Sequence, residues 1–559
     1  MYIAITRKKY KDHYHEQILL RESYREDGKV KTRTLLNLTN HPKEQVDAIA
    51  AALKAVKNKE SITTSSQQKQ GKTIGFSFVI IFIMNLLGII KAVGKTFEAK
   101  IALVLITARI ISQSSRLQAL FWAKEEDKIL DLLKFEAKEK EKLNENTIYL
   151  GLDYIEENQI KIEDKLFKSY YGSNPPKRLY YDVTSSYVTG DYKDSELIAY
   201  GYNRDGKKGT QQIVIGLLTD ENGHAVSIHT YPGNTNDVAT FTDQLDKLKK
   251  RFKLENITIV GDGGMIKSDD IVKIKELGYD YITSIGKPSI QKLIDNKDSQ
   301  MQLSLFDEDL QEIIENNTRY IVRQNPIRRD EIRATRDSKI TRLEEFIKDK
   351  TTYYNTHYRA KLETLEKHIN KKISDLKLSK FISYEISLKE GVCIVKDKDN
   401  NEIKKTKDLA TIKIITDEKA KKDIEQLDGC YVVTTSLTDT TKHTKEDIHK
   451  AYKTLIKVEN AFKTLKTEFL EIRPLYLKTD KRIKGHIALS MLAYNITLKL
   501  KSYTNEVKLD FKSTIRKLST VKTTINSINN AIKFETIPTV CENLQTLFLK
   551  MNLKLPTKI

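Results

Sequence analysis

The period of hydrophobic and polar positions changes several times along the chain, and each change marks an element. Two β-like stretches at 14–24 and 30–38 flank the turn Glu26-Asp-Gly-Lys29 and predict a basic hairpin. A helix over 42–57 follows, and 61–72 is polar, unpatterned and rich in Gln, Ser and Thr, as a linker would be. From Ile74 to about Leu143 the period is helical throughout, which predicts a small all-helical domain around the single tryptophan, Trp122. The apolar run 76–90 within it is shorter than the ~20 residues of a membrane-spanning helix, so it reads as buried.

At Lys177 the character changes. Segments 179–187, 211–218 and 224–231 read as three strands of an antiparallel meander. A helix over 237–252, a strand 257–260, a helix 268–277 and a strand 279–284 complete the order βββαβαβ, which matches an RNase H-like fold with helices on both faces of a mixed sheet. Charged positions with sparse Leu and Ile then predict two long exposed helices between 325 and 380, and strands at 391–395, 411–415 and 429–435. A strong helix covers 482–500, and the tail beyond 503 has no clear pattern.

The expected fold class is therefore α/β: an RNase H-like core with a mixed five-stranded sheet, interrupted by an α+β insertion and preceded by a β-hairpin and an all-helical domain. Its segments are 1–60 (hairpin and helix), 61–73 (linker), 74–150 (helical domain), 175–290 (first part of the core), 291–435 (insertion), 436–505 (second part of the core) and 506–559 (tail).

Composition narrows the partners. The 559 residues are 39% hydrophobic and 31% charged, enough for several packed domains and unlike a disordered chain. Ninety-six Lys and Arg against 76 Asp and Glu leave a formal charge of +20, which favours a polyanion such as DNA, RNA or an anionic membrane surface. Three widely separated cysteines support neither a disulfide framework nor a zinc site, and the N-terminus has no signal-peptide pattern, so a reducing cytosol is expected.

Candidate chemistry lies in three acids. Glu459, in Tyr452-Lys-Thr-Leu-Ile-Lys-Val-Glu459-Asn-Ala-Phe-Lys-Thr-Leu-Lys466, shares a sector of about 80° of a helix with Tyr452, Leu455, Phe462 and Lys466, which predicts a carboxylate among apolar and aromatic neighbours. Asp182 interrupts the strand 179–187, and Asp262 ends the strand 257–260. In an RNase H-like sheet the first and fourth strands are adjacent, so these two would face one another, and a helix across the sheet would add Glu459. Three such carboxylates suit a pair of divalent cations that activate an oxygen nucleophile and stabilise the leaving oxygen at a phosphodiester. Singly, each has a plainer explanation: Asp182 as a cap for Thr184 and Ser185, Asp262-Gly-Gly as a turn, Glu459 as a partner of Lys463 or Lys466. Asn236 or Asp237 reads as the cap of the following helix, and His224 and His229 as structural.

With these residues in place, the chain resembles the DDE transposases of bacterial insertion sequences, in the IS-four-like superfamily with a β-rich insertion before the glutamate. The superfamily block Tyr-x2-Arg-x3-Glu-x6-Lys is met by Tyr452, Leu455, Glu459 and Lys466, with leucine in place of the arginine. Similarity continues through Glu471-Ile-Arg473-Pro474 and Arg482 to His486. The resemblance implies Asp182, Asp262 and Glu459 as catalytic and metal-binding residues, two Mg²⁺ or Mn²⁺ ions as cofactor, and Tyr452, Lys466 and Arg473 as DNA contacts. It further implies a homodimer that cuts double-stranded DNA at terminal inverted repeats and joins the 3′-hydroxyls to target DNA, with no membrane partner and a place on the bacterial nucleoid. An RNase H-like nuclease or resolvase without joining, and a non-catalytic DNA-binding descendant, are the alternatives.

Overall fold

The chain opens with three strands rather than the two of the expected hairpin. In the computed structural model, which describes residues 1–10, 13–58, 66–113, 115–204, 206–207, 209–296, 298–306, 310–396, 402–468, 470, 472, 475–528 and 532–555, β1 (Tyr2–Tyr10), β2 (His13–Glu26) and β3 (Lys29–Asn37) form an antiparallel sheet. The β2–β3 turn is tight because Asp27 and Gly28 both take positive φ, 52° and 73°, the requirement of a two-residue hairpin loop matching the strand twist. The helix Lys43–Lys57 follows as expected.

The predicted linker contains β4 (Ser66–Thr73). It is a strand because the tail supplies its partner: β15 (Lys522–Ile528) pairs antiparallel with β4 on one side and with β16 (Ile532–Thr536) on the other. The helical region is likewise not set apart. It runs on through the helix Leu150–Tyr171, and its buried Ile80, Ile83 and Ile101 belong to the same apolar core as Ile213 and Ile228 of the sheet and Ile487 of the helix Asp480–Glu506. Gly485 permits that packing, since a Cβ there would sit 2.2 Å from the Leu152 carbonyl oxygen. The apolar run Phe76–Ile90 is largely buried here, with Asn85 and Leu86 exposed, and no helix among the described residues is long and apolar enough to cross a membrane.

β5 (Arg178–Tyr187), β6 (Gln212–Asp220) and β7 (Ala225–Pro232) form the antiparallel meander. β6 is buried along its whole length, which explains why it reads as a continuous apolar run rather than an alternation. β8 (Thr258–Val260) pairs parallel with β5, and β9 (Asp280–Ile285) parallel with β8, after the helices Asp237–Lys247 and Ser268–Glu276. The core order is thus β7-β6-β5-β8-β9, with the first and fourth strands adjacent as expected.

The sheet does not stop at five strands. β10 (Gln311–Glu315) and β11 (Thr318–Gln324) come from the insertion, as do β12 (Ile382–Lys396), β13 (Glu402–Thr416) and β14 (Cys430–Thr435). Three of them extend the sheet to eight, in the order β10-β11-β14-β9, while β12 and β13 pair only with each other. The two charged helices, Pro326–Thr356 and Leu362–Asp375, bury Leu343, Ile347, Leu365 and Ile369 with Ile382 and Ala410 of the ribbon. The insertion therefore has its own small core but shares its β-structure with the main sheet. The tail beyond 506 is also ordered, adding the helices Phe511–Ser519 and Glu542–Lys550 to β15 and β16.

Candidate active site

Strand register brings the two aspartates together. The last β5–β8 pair is Tyr180 with Val260; Asp182 lies two residues further along β5, and Asp262 two residues past the end of β8. Equivalent positions on neighbouring parallel strands share a face at a spacing of about 4.8 Å. Each carboxylate is oriented by its own backbone: Asp182 Oδ1 accepts the Val183 N–H at 2.8 Å, and Asp262 Oδ1 the Gly263 N–H at 2.8 Å. Asp262 also opens a turn, its carbonyl accepting the N–H groups of Met265 and Ile266 at 2.9 and 3.0 Å. The turn lies directly on β9, because a Cβ at Gly263 would be 2.1 Å from the Ser284 carbonyl oxygen.

Glu459 arrives differently from the way its sequence reads. The expected continuous helix is two, Lys445–Lys453 and Ile456–Lys463, separated at Thr454 and Leu455, where the Thr454 hydroxyl bonds back to the Lys450 carbonyl at 2.9 Å. The second helix buries Val458, Ala461 and Phe462, and this stripe turns Glu459 outward, so it is exposed rather than set among apolar neighbours. The helix packs across β5 and β6, which keeps the carboxylate beside Asp182. A π-helical turn, Thr464–Glu468, follows and carries Lys466, which is half-buried. Arg473 lies outside the described residues.

The electrostatics report the proximity of the three acids. The Asp182 carboxyl is pushed up to about 7, mostly by burial, with Glu459 and Asp262 adding repulsion; the Val183 N–H and the Arg204 guanidinium act in the opposite sense. Arg204 had no signature in the sequence, being one basic residue in a polar loop. Its N–H donates to the Ser185 hydroxyl at 3.0 Å and its guanidinium pairs with Asp237, which fixes a cation close to Asp182. The neighbouring Asn236 caps the helix Asp237–Lys247 through the Ala239 N–H at 2.8 Å, as expected. Tyr452 is also at the site: burial pushes its hydroxyl up to about 12, opposed by a hydrogen bond with the Ser284 side chain and reinforced by Asp262 and Glu459. Ser284, like Arg204, was not legible as a site residue. His224 contacts the Tyr170 hydroxyl at 2.8 Å and Asp220 at 3.4 Å, a structural setting away from the acids.

Among the described residues, no three His, Cys, Asp or Glu side chains converge closely enough to enclose one metal ion. The three acids feel one another without forming a closed cage. Their chemistry still fits a hard divalent cation, since all the donors are carboxylate oxygens and the electrostatic strain at Asp182 is of the sign a cation relieves.

Comparison with known proteins gives the same direction. The family described as "Transposase DDE domain" matches residues 174–496, more than half of the chain, and "IS1634 family transposase, N-terminal domain" matches residues 3–68. Among solved structures, a piggyBac transposase synaptic complex with hairpin DNA is similar at 9% identity and a TM-score of 0.35, over 79% of this chain and 69% of that one. A Mos1 transposase paired-end complex with the left transposon end is similar at 12% identity and a TM-score of 0.14, over 30% of this chain and 58% of that one. No curated protein matches the chain.

Proposed function

The chain belongs to the family of transposases with a DDE domain, and from that premise we propose that it binds the terminal inverted repeats of its own insertion sequence, cuts the element ends and joins the 3′-hydroxyls to target DNA. The observation that carries this reading is the meeting of Asp182 and Asp262, two residues past a shared parallel pairing, with Glu459 close enough to help hold the Asp182 proton. Asp182, Asp262 and Glu459 would hold two Mg²⁺ or Mn²⁺ ions, which would supply activation of a water or 3′-hydroxyl and stabilisation of the leaving oxygen.

The chain's own groups do the positioning. The backbone N–H groups of Val183 and Gly263 each occupy one oxygen of an aspartate and direct the other toward the shared space. Arg204, tied to Asp237, balances part of the negative charge from one side. Tyr452 presents a hydroxyl that stays protonated at neutral pH and can donate to a phosphate oxygen, Lys466 contributes a point charge, and Arg473 contacts DNA further along the same block. The +20 charge supports long-range attraction to the duplex, and two copies pair the two ends in one complex on the bacterial nucleoid.

The test is a labelled duplex made from the DNA flanking the gene, incubated with protein and Mg²⁺ or Mn²⁺. Cutting at the repeat tip with joining to a plasmid supports the proposal. Cutting without joining would reduce it to a nuclease, and metal-independent binding alone to a DNA-binding descendant.

A further inference from the structure

We infer that a basic cleft formed almost wholly by the insertion, with Lys287 of the preceding segment at one end, is a second phosphate-backbone site for duplex DNA. This rests on the reading of the three acids given above. The cleft has a volume of about 500 Å³ and is lined by Lys287, Arg328, Arg336, Lys339, Lys377 and Lys380, with Ile332, Leu378, Phe381 and Ile424 as its apolar wall.

The charge balance is one-sided. Arg336 is buried, its Nη2 donating to both oxygens of the buried Asp428 at 2.9 and 2.7 Å and its Nη1 to Glu425 at 3.3 Å, and Lys287 shares the Asp428 carboxylate at 3.2 Å. Arg328 pairs with the exposed Glu331 at 2.8 Å, a contact that water screens. Lys339, Lys377 and Lys380 have no ion pair among the described residues, and no further carboxylate lines the cleft. Arg336 thus braces the wall, and the three lysines are left as an uncompensated positive rim that fits a polyanion.

Topology places the Lys287–Arg328 end of this cleft at the reacting edge of the sheet, with Lys339 about 16 Å beyond Arg328 along its helix. β8 and β9 run parallel, and the Val260–Ile282 pair sets Asp262 level with Ser284, three residues before Lys287. β14 starts and β11 ends at this same edge, where Gln324 pairs with Cys430, and the helix Pro326–Thr356 that carries Arg328 and Lys339 leaves from Asn325. From β8 to β11 is three strand spacings, roughly 14 Å.

The experiment uses the full chain and a random-sequence 30-base-pair duplex, so it does not depend on knowing the repeat. Affinity is measured across a salt series for the wild type, for the triple variant Lys339→Glu, Lys377→Glu, Lys380→Glu, and for the corresponding triple Gln variant, with thermal unfolding as the folding control. Each phosphate contact adds about 0.9 to the slope of log affinity against log salt, so a slope lower by roughly 2 to 3 in the Gln variant, with a further loss of affinity in the Glu variant, is expected. An unchanged slope in two folded variants overturns the cleft. If the slope falls but the wild type never cuts its element ends, the cleft stands and the transposase reading of the acids fails; if the wild type cuts and the slope is unchanged, the reverse holds.

Discussion

Asp182 is held within β5 and Asp262 at the turn just past the end of β8, whereas Glu459 is held by a short helix between a break and a π-helical turn. The aspartates inherit their separation from backbone hydrogen bonding, and a one-residue slip of either strand would turn it to the opposite face. Glu459 is exposed and depends on a packed stripe of Val458, Ala461 and Phe462 for its direction. The site therefore has a fixed half and an adjustable half. On the proposed function, a protein that has to admit a duplex and gather cations would benefit from carrying one of its three acids on a helix oriented by side-chain packing alone.

The largest effect should come from removing any of the three carboxylates. Asp182→Asn, Asp262→Asn and Glu459→Gln are each expected to lower metal-dependent DNA cleavage by about 1,000-fold or more, the scale of losing a group that stabilises developing charge, while circular dichroism shows an intact fold. Cleavage by all three at the wild-type rate would remove the site. Moving a carboxylate by one methylene tests the comparison itself. On the rigid strand, Asp182→Glu should cost at least the ~100-fold of a 1 Å misplacement, whereas Glu459→Asp should cost less, because its helix can shift; equal losses in single-turnover rates would abolish the distinction.

Gly263→Ala should act through the fixed half alone. Its Cβ would meet the Ser284 carbonyl oxygen at 2.1 Å, so the turn must lift from β9 and carry Asp262 with it. A cleavage loss of about 100-fold is expected, with a stability cost of roughly 1–3 kcal/mol in urea unfolding. The smallest effect is on stability against pH. The folded-state pKa of Asp182 is raised to about 7 from 3.8, so the folded state binds more protons than the unfolded chain between these values and loses stability as pH rises through that window. Without divalent metal, Asp182→Asn should therefore raise Tm relative to wild type more at pH 8 than at pH 4, with a difference of a few degrees at most in so large a chain. A Tm difference independent of pH would contradict the electrostatic coupling.

What could be seen in the sequence follows from what is local. The β5–β9 run carries its own periodicity, and Asp182 and Asp262 stand out because they interrupt apolar strands. The long insertion helices declare themselves by spacing of Leu and Ile in a charged background. By contrast, β4 exists only because β15 reaches it from the far end of the chain, with Thr73 opposite Lys522, and no local pattern of Gln, Ser and Lys encodes that. β14 likewise joins β9 across the whole insertion. The break at Thr454 escapes a helical wheel, which assumes one continuous helix; Glu459 sits on the exposed side of the second helix, whose buried stripe is Val458, Ala461 and Phe462. Arg204 and Ser284 matter through tertiary placement beside Asp182 and Tyr452, a property that neither composition nor spacing carries.

The most direct test of the central claim is one reaction: the labelled element-end duplex with Mn²⁺ and a target plasmid, run with the wild type beside Glu459→Gln. The account predicts cutting at the repeat tip and covalent joining by the wild type, with both absent in a variant that still binds the duplex. Equal cutting and joining by the two proteins would contradict it, and would show that the acid on the adjustable helix takes no part in the chemistry.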